Sequence, residues 1–212
     1  MRKMRIAVSK GRLLDGTLEA FRRASLIVPS PGQIDSRRLL IETESAEWIL
    51  IKDADVPVYV ESGAADAGVV GMDQILEQEP DVFLPVEFDF GRCRMMLIAG
   101  PDAPPFGSLA GRIATKYPTV TRRFLERRGL HLDIITLHGS VELAPVLGLA
   151  PFIVDLVETG RTIEAHQLEI RELIAPIAPR LMINKRFYGA ESVSAQRLVR
   201  QMNSSMEAEV SI

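Results

Sequence analysis

Cysteine occurs once in the 212 residues, at Cys93. No disulfide can form within the chain, and no neighbouring motif supplies the base that a thiol nucleophile needs. The three histidines fall in no His-x-x-x-His or Cys/His spacing, which removes the usual zinc frameworks. Charge of one sign is not in excess either: 25 Lys and Arg stand against 28 Asp and Glu, a formal net charge of -3. That balance gives no general attraction to nucleic acid, so any site for a polyanion must be local. Long apolar runs are missing. The most apolar stretch, residues 141–157, is interrupted by Glu142, Pro145, Pro151 and Asp155, and reads as a helix and a strand rather than a membrane span. After the basic Arg2, Lys3 and Arg5 only Ile6, Ala7 and Val8 form an apolar run, too short for the core of a secretory signal. A cytoplasmic chain is expected. Internal repeats and low-complexity segments are absent as well.

What is present is the composition of an ordinary globular protein, 47% hydrophobic and 25% charged. The length suits one large domain or two small ones sharing a cleft. Strands are expected at 5–8, 37–43, 47–51, 67–70, 94–99, 112–115, 133–137, 152–157, 170–177 and 180–184, the second and third as a hairpin. A first helix places Leu14, Leu18, Phe21 and Ser25 on one face. Pro29, Pro31 and Gly32 should break the chain after it. Further helices are expected at 56–61, 74–78, 118–128, 141–147, from 163, and at 192–206, with a frayed tail at 207–212. Strands alternating with helices predict an α/β protein with mixed, mostly parallel sheets. The loop-rich stretch at 88–91 divides the chain, and the late strand at 180–184 crosses back. Two lobes follow, 1–91 with 180–212 and 92–179, the active site lying in the cleft between them.

Chemistry concentrates at the strand ends. Asp155 interrupts an apolar strand, where a carboxylate costs several kcal/mol unless it is paired or hydrogen-bonded. Glu158, Thr159, Gly160, Arg161 and Thr162 follow, and then a helix. A strand, a short Gly/Thr loop and a helix N-terminus can hold a phosphate, although the tetrad alone fits a Thr-capped turn equally well. Asp155 and Glu158 tip the balance toward a sugar phosphate, whose hydroxyls they would accept. Lys10 and Arg12 sit at a strand end that opens a helix, a poor place for cations unless an anion lies between them. Gly71 and Asp73 close another strand, at the carboxyl end where open α/β sheets bind ligands. Gly68, Ala64 and Ala67 before them read as close helix-on-strand packing. Lys116, Ser140 and Glu142 belong to two further loops of the same design, and His138 reads as a capping residue. Arg122, Arg123, Arg127 and Arg128 read as a solvated helix face.

In combination these motifs resemble the ATP phosphoribosyltransferase family. The matching segments run Arg5-Ile6-Ala7-Val8-Ser9-Lys10-Gly11-Arg12-Leu13, Asp55-Val56-Pro57-Val58-Tyr59-Val60-Glu61, Gly63-Ala64-Ala65-Asp66 on to Gly71-Met72-Asp73, Gly91-Arg92-Cys93-Arg94, Ala114-Thr115-Lys116-Tyr117-Pro118, Leu137-His138-Gly139-Ser140-Val141-Glu142-Leu143-Ala144-Pro145, and 155–162. They extend over nearly the whole chain.

The resemblance implies a two-lobed fold of the type II periplasmic-binding-protein kind. It implies transfer of the phosphoribosyl group of phosphoribosyl pyrophosphate (PRPP) to N1 of the adenine of ATP, with Mg2+ as cofactor, in the first step of histidine biosynthesis. On that pattern Asp155 and Glu158 hold the ribose hydroxyls, and Thr159, Gly160, Arg161 and Thr162 the 5-phosphate. Arg12 and Lys10 act on the departing pyrophosphate, joined by Arg37 or Arg38. Gly71, Asp73, Lys116, Ser140 and Glu142 face ATP or the second-substrate cleft. The family often has arginine where Lys52 stands; lysine keeps the charge without the bidentate fork. The length resembles the short form of the family, which works as a homodimer within a hetero-octamer, beside a regulatory subunit like histidyl-tRNA synthetase. No nucleic-acid or membrane partner is expected. The rival readings are a non-catalytic binding module of the same fold, and a phosphoribosyltransferase for another base.

Overall fold

A computed structural model describes residues 2–36, 38–107 and 111–210, with backbone alone at 192 and 206–210. The chain divides into two units, Met1–Gly91 with Ala178–Ile212, and Arg92–Ile177. The first unit opens with β1 (Met4–Ser9), α1 (Leu14–Arg23), α2 (Pro31–Ile34), β2 (Leu40–Glu42), β3 (Ala46–Ile51), α3 (Val56–Glu61), β4 (Ala67–Gly71), α4 (Met72–Gln78) and β5 (Val82–Glu87). The second contains β6 (Cys93–Ala99), β7 (Arg112–Thr115), α5 (Pro118–Glu126), β8 (Asp133–Thr136), α6 (Leu143–Val146), β9 (Phe152–Val157), α7 (Arg161–Ala165) and β10 (Glu169–Ile177). The chain then returns to the first unit through β11 (Pro179–Asn184), α8 (Lys185–Ala190) and α9 (Ser192–Val210).

In the first unit six strands pair in the order β2-β3-β1-β4-β11-β5. The alternation of β1 explains why it sits inside. Ile6 and Val8 join a cluster with Phe21, Trp48, Leu181 and Leu198, while Ala7 faces the other way onto Val56, Val60 and Met182. A strand covered on both faces reads as an unbroken apolar run. The Phe21 and Trp48 rings meet edge-on at 5.1 Å between centroids, the geometry their quadrupoles favour. A Cβ on Gly68 would lie 2.9 Å from side-chain atoms of Val56 and Val60, so α3 packs on β4 at glycine distance. Ala64, read beside it as a packing residue, is exposed instead.

In the second unit five strands pair in the order β10-β6-β9-β7-β8. β7 runs parallel to both β8 and β9, so the three carboxyl ends leave the sheet at one edge. Ile153 and Val157 of β9 pack with Val141, Ala144 and Ile163, which brings the segments after β8 and β9 onto one core.

The expectation of mostly parallel sheets is corrected here. Among the described residues four strand pairs are parallel and five antiparallel. A helical crossover is what makes neighbours parallel. β6 and β11 are each entered from the preceding strand without a helix, and both run against their neighbours.

Local expectations change as well. β5 goes unseen in the sequence because Pro85 interrupts the alternation of Val82, Leu84 and Val86, yet β5 is an edge strand, where a missing N–H is harmless. Pro31 does not break the chain; it opens the short α2, with Ser30 and Gln33 forming a capping box. Ser25, placed on the buried face of the first helix, follows its end, exposed and at φ 64°. α8 precedes the last helix unannounced, capped by Asn184, whose side chain accepts from the backbone N–H groups of Arg186 and Phe187. α9 continues to Val210 rather than fraying from 207. No helix among the described residues is long and apolar enough to cross a membrane.

Candidate active site

β9 lies inside the second sheet, between β6 and β7, and carries Asp155 opposite Met96 of β6. The Asp155 carboxylate accepts the N–H of Leu156 at 2.8 Å. After Val157 the backbone turns through exposed Glu158 and Thr159 to Gly160, at φ 82°. That left-handed conformation is the reason for a glycine, since any Cβ there approaches the following carbonyl. α7 begins at the next residue, and its first closing bond runs from the N–H of Glu164 to the Gly160 carbonyl at 3.1 Å. The N–H groups of Arg161, Thr162 and Ile163 therefore have no acceptor inside the helix. α7 is only five residues long. Its dipole is small, so local hydrogen-bond donors, not a macrodipole, would hold an anion at this loop.

A cavity of about 290 Å³ opens here, lined by Asp155, Glu158, Thr159, Gly160, Arg161, Thr162 and, from the segment after β8, Glu142. Its size is near the lower bound of small-molecule sites. Size alone does not single it out: about 640 Å³ lies beside Pro101, Pro145 and His166, and about 390 Å³ beside Arg2, Asp66 and Glu191. What distinguishes the smaller cavity is its position at the carboxyl edge of parallel strands, with hydroxyls, carboxylates and a guanidinium together.

The other candidates of this unit sit apart from that cavity. Lys116 follows β7 and is exposed, as is Ser140, which adopts φ 47°. Thr115 is fully buried; its hydroxyl donates to the Val154 carbonyl at 2.8 Å and accepts the N–H of Tyr117 at 2.9 Å. That hydroxyl closes β7 onto β9 and is not left for a ligand.

In the first unit β1, β3 and β4 are parallel, so Lys10, Lys52 and the Gly71 end of β4 share one edge. The N–H of Lys10 reaches the Ile51 carbonyl at 3.0 Å, which ties the ends of β1 and β3 together. Lys10, Gly11, Arg12 and Lys52 are exposed. The Arg12 guanidinium donates to the Gly91 carbonyl at 3.0 Å. This anchor escapes the sequence pattern, although Gly91 stands in one of the matching segments. Gly71 caps α4, and Asp73 in its first turn is 5% exposed and accepts from the Gln74 amide at 2.9 Å. Arg37 lies outside the described residues. No group of three or more His, Cys, Asp or Glu among the described residues is arranged to hold a metal ion.

The model of the family described as ATP phosphoribosyltransferase (HisG) matches residues 52–206. An ATP phosphoribosyltransferase from Methylococcus capsulatus is 46% identical over 183 residues, 85% of each chain. One from Pseudomonas syringae pv. syringae is 41% identical over 207 residues, 96% of this chain and 97% of that one. The fold superposes on the ATP phosphoribosyl transferase (HisG:HisZ) complex from Thermotoga maritima with TM-score 0.84 and 32% identity, covering 97% of this chain and 99% of that one. A putative L-cystine ABC transporter protein from Listeria monocytogenes shares the fold alone, at TM-score 0.64, 12% identity, and coverage of 98% and 90%. With the family model spanning most of its length and relatives above 40% identity along nearly all of it, the chain belongs to the ATP phosphoribosyltransferase family.

Proposed function

We infer that the chain catalyses the reaction of its family, the first step of histidine biosynthesis. The C1–O bond of PRPP breaks with its electron pair leaving on pyrophosphate. The N1 lone pair of adenine forms the new bond to C1 from the opposite face, and a proton is released from the adenine. No covalent enzyme intermediate is required. The task of the protein is to position two substrates and to stabilise charge as it moves.

The cavity at the β9–α7 loop carries this reading. Asp155 and Glu158 accept the ribose hydroxyls, while the N–H groups and hydroxyls of residues 159–162, with the Arg161 guanidinium, hold the 5-phosphate. Lys10 and Arg12 neutralise the departing pyrophosphate, and Arg37 adds to them. Gly71, Asp73, Lys116 and Ser140 belong to the ATP side.

Magnesium enters with the phosphates. Such an ion keeps several waters and is held by substrate oxygens and one or two carboxylates. When bound, it offsets charge on the pyrophosphate.

We also propose a regulatory partner subunit of the HisZ kind, as named in the Thermotoga complex, with this chain as a dimer within a hetero-octamer in the cytoplasm. The near-equal coverage of that chain and this one supports it. The direct experiment incubates the chain with ATP, PRPP and Mg2+, with and without such a subunit, and follows phosphoribosyl-ATP by absorbance and mass. Product is expected in at least one condition. None in either, from a folded chain, would turn the reading toward a binding module.

A further inference from the structure

Two loops meet at the cavity described above, and only one of them has a role so far. Glu142 comes from the segment after β8, two strands away from β9 in the sheet order. It reaches the cavity because its neighbours are pinned. Val141 is 1% exposed and Ala144 2%, and both pack with Ile153, Val157 and Ile163. The left-handed Ser140 turns the chain just before them, and the N–H of Leu143 and of Ala144 bond back to the carbonyls of Ser140 and Val141 at 3.1 and 3.0 Å. With Val141 and Ala144 held in the core, the half-buried Glu142 side chain lines the cavity beside Asp155 and Glu158.

This inference rests on the proposed function. Phosphoribosyl pyrophosphate has two free ribose hydroxyls, each with one proton to donate, and Asp155 and Glu158 already accept two. A third carboxylate is therefore surplus to the ground-state sugar. It needs something of positive character; the magnesium ion offsets charge at the pyrophosphate, and the reaction makes a second cation at the sugar itself. As the C1–O bond lengthens and its electron pair leaves with pyrophosphate, C1 and the ring oxygen carry positive charge until the adenine N1 lone pair closes the new bond. We propose that Glu142 belongs to the phosphoribosyl subsite rather than to that of ATP, and that its carboxylate stabilises the cationic ribosyl ring of the transition state. The group is preorganised by Val141 and Ala144, so it need not reorient as charge develops.

Glu142→Gln removes the charge and keeps the shape. In the full chain under single turnover, with enzyme in excess over PRPP and ATP saturating, the rate should fall about 100-fold. The ATP dissociation constant, measured by calorimetry, and the thermal midpoint should stay at the parent values. Glu142→Asp, which keeps the charge, should recover at least a tenth of the parent rate. A tenfold weaker grip on ATP with an unchanged saturated rate would overturn the assignment, as would equal losses in the Gln and Asp variants or no loss in either. Failure of the proposed function is read separately, from a parent chain that makes no phosphoribosyl-ATP.

Discussion

Arg12 and Gly91 lie 79 positions apart, and the guanidinium of the first donates to the carbonyl of the second at 3.0 Å. Gly91 sits at φ 59°, and a Cβ on it would come within 2.5 Å of a Leu13 methyl. Leu13 is 7% exposed, so it has little room to give way. A glycine pressed against a buried leucine thus holds the carbonyl that aims an exposed arginine.

Replacing Arg12 with alanine should lower turnover about 100-fold, roughly 3 kcal/mol of transition-state stabilisation. Because the side chain is exposed, stability should barely change. Near-normal turnover in a steady-state assay would remove Arg12 from the leaving-group role. Gly91→Ala should act through the fold instead. It combines a left-handed backbone with a clash, and urea unfolding should register a loss of about 2 kcal/mol.

Gly160→Ala isolates the backbone effect, because nothing lies within 4 Å of the added Cβ. The expected loss of stability is about 1 kcal/mol. PRPP affinity should drop alongside it, since relaxing φ moves the N–H groups that follow. Gly160→Asn should recover part of both, as asparagine tolerates left-handed φ better than alanine. Paired urea melts and PRPP titrations of the two variants check this; equal PRPP affinity in all three proteins would separate the loop geometry from phosphate binding.

Away from the site, Asp66 is 2% exposed and receives both Arg2 Nη atoms, at 2.7 and 2.6 Å, and the N–H of Arg5 at 2.8 Å. That hydrogen bonding holds the Arg2 guanidinium above its ordinary pKa. The pair fastens the start of β1 to the residue just before β4. Asp66→Ala takes the acceptor from a part-buried N–H and releases a half-exposed guanidinium to water, and should destabilise the chain by about 2 kcal/mol. A chemical melt measures it, and a change below 0.5 kcal/mol, about the scatter of ordinary surface substitutions, would contradict the structural role.

Interior strands were legible because burial on both faces writes itself as an apolar run. β1, β4, β6 and β9 are of this kind, and their limits fall within about a residue of the pattern. β5 was not, since an edge strand can carry Pro85 without losing a ladder bond. Strand direction was legible only where a helix intervenes; β6 and β11, entered without one, reversed the expected pairing. At the candidate site the residues sharing one loop could be read together, and Gly160 announced a turn. The helix start could not be read there: the pattern placed it near Ile163, and α7 begins at Arg161. Nor could the sequence say which loop Glu142 meets. That depends on Val141 and Ala144 packing against Ile153 and Val157 of β9, contacts between different strands' neighbourhoods that no local spacing encodes.

The central claim is that the β9–α7 loop holds the phosphoribosyl half of the reaction. Calorimetric titration of magnesium PRPP into Asp155→Asn, beside the parent chain, tests it most directly. Loss of a charged hydrogen bond to a ribose hydroxyl should weaken PRPP binding at least tenfold, about 1.4 kcal/mol or more, while ATP binding stays at the parent value. Equal PRPP affinity in the two proteins, with both folded, would contradict it.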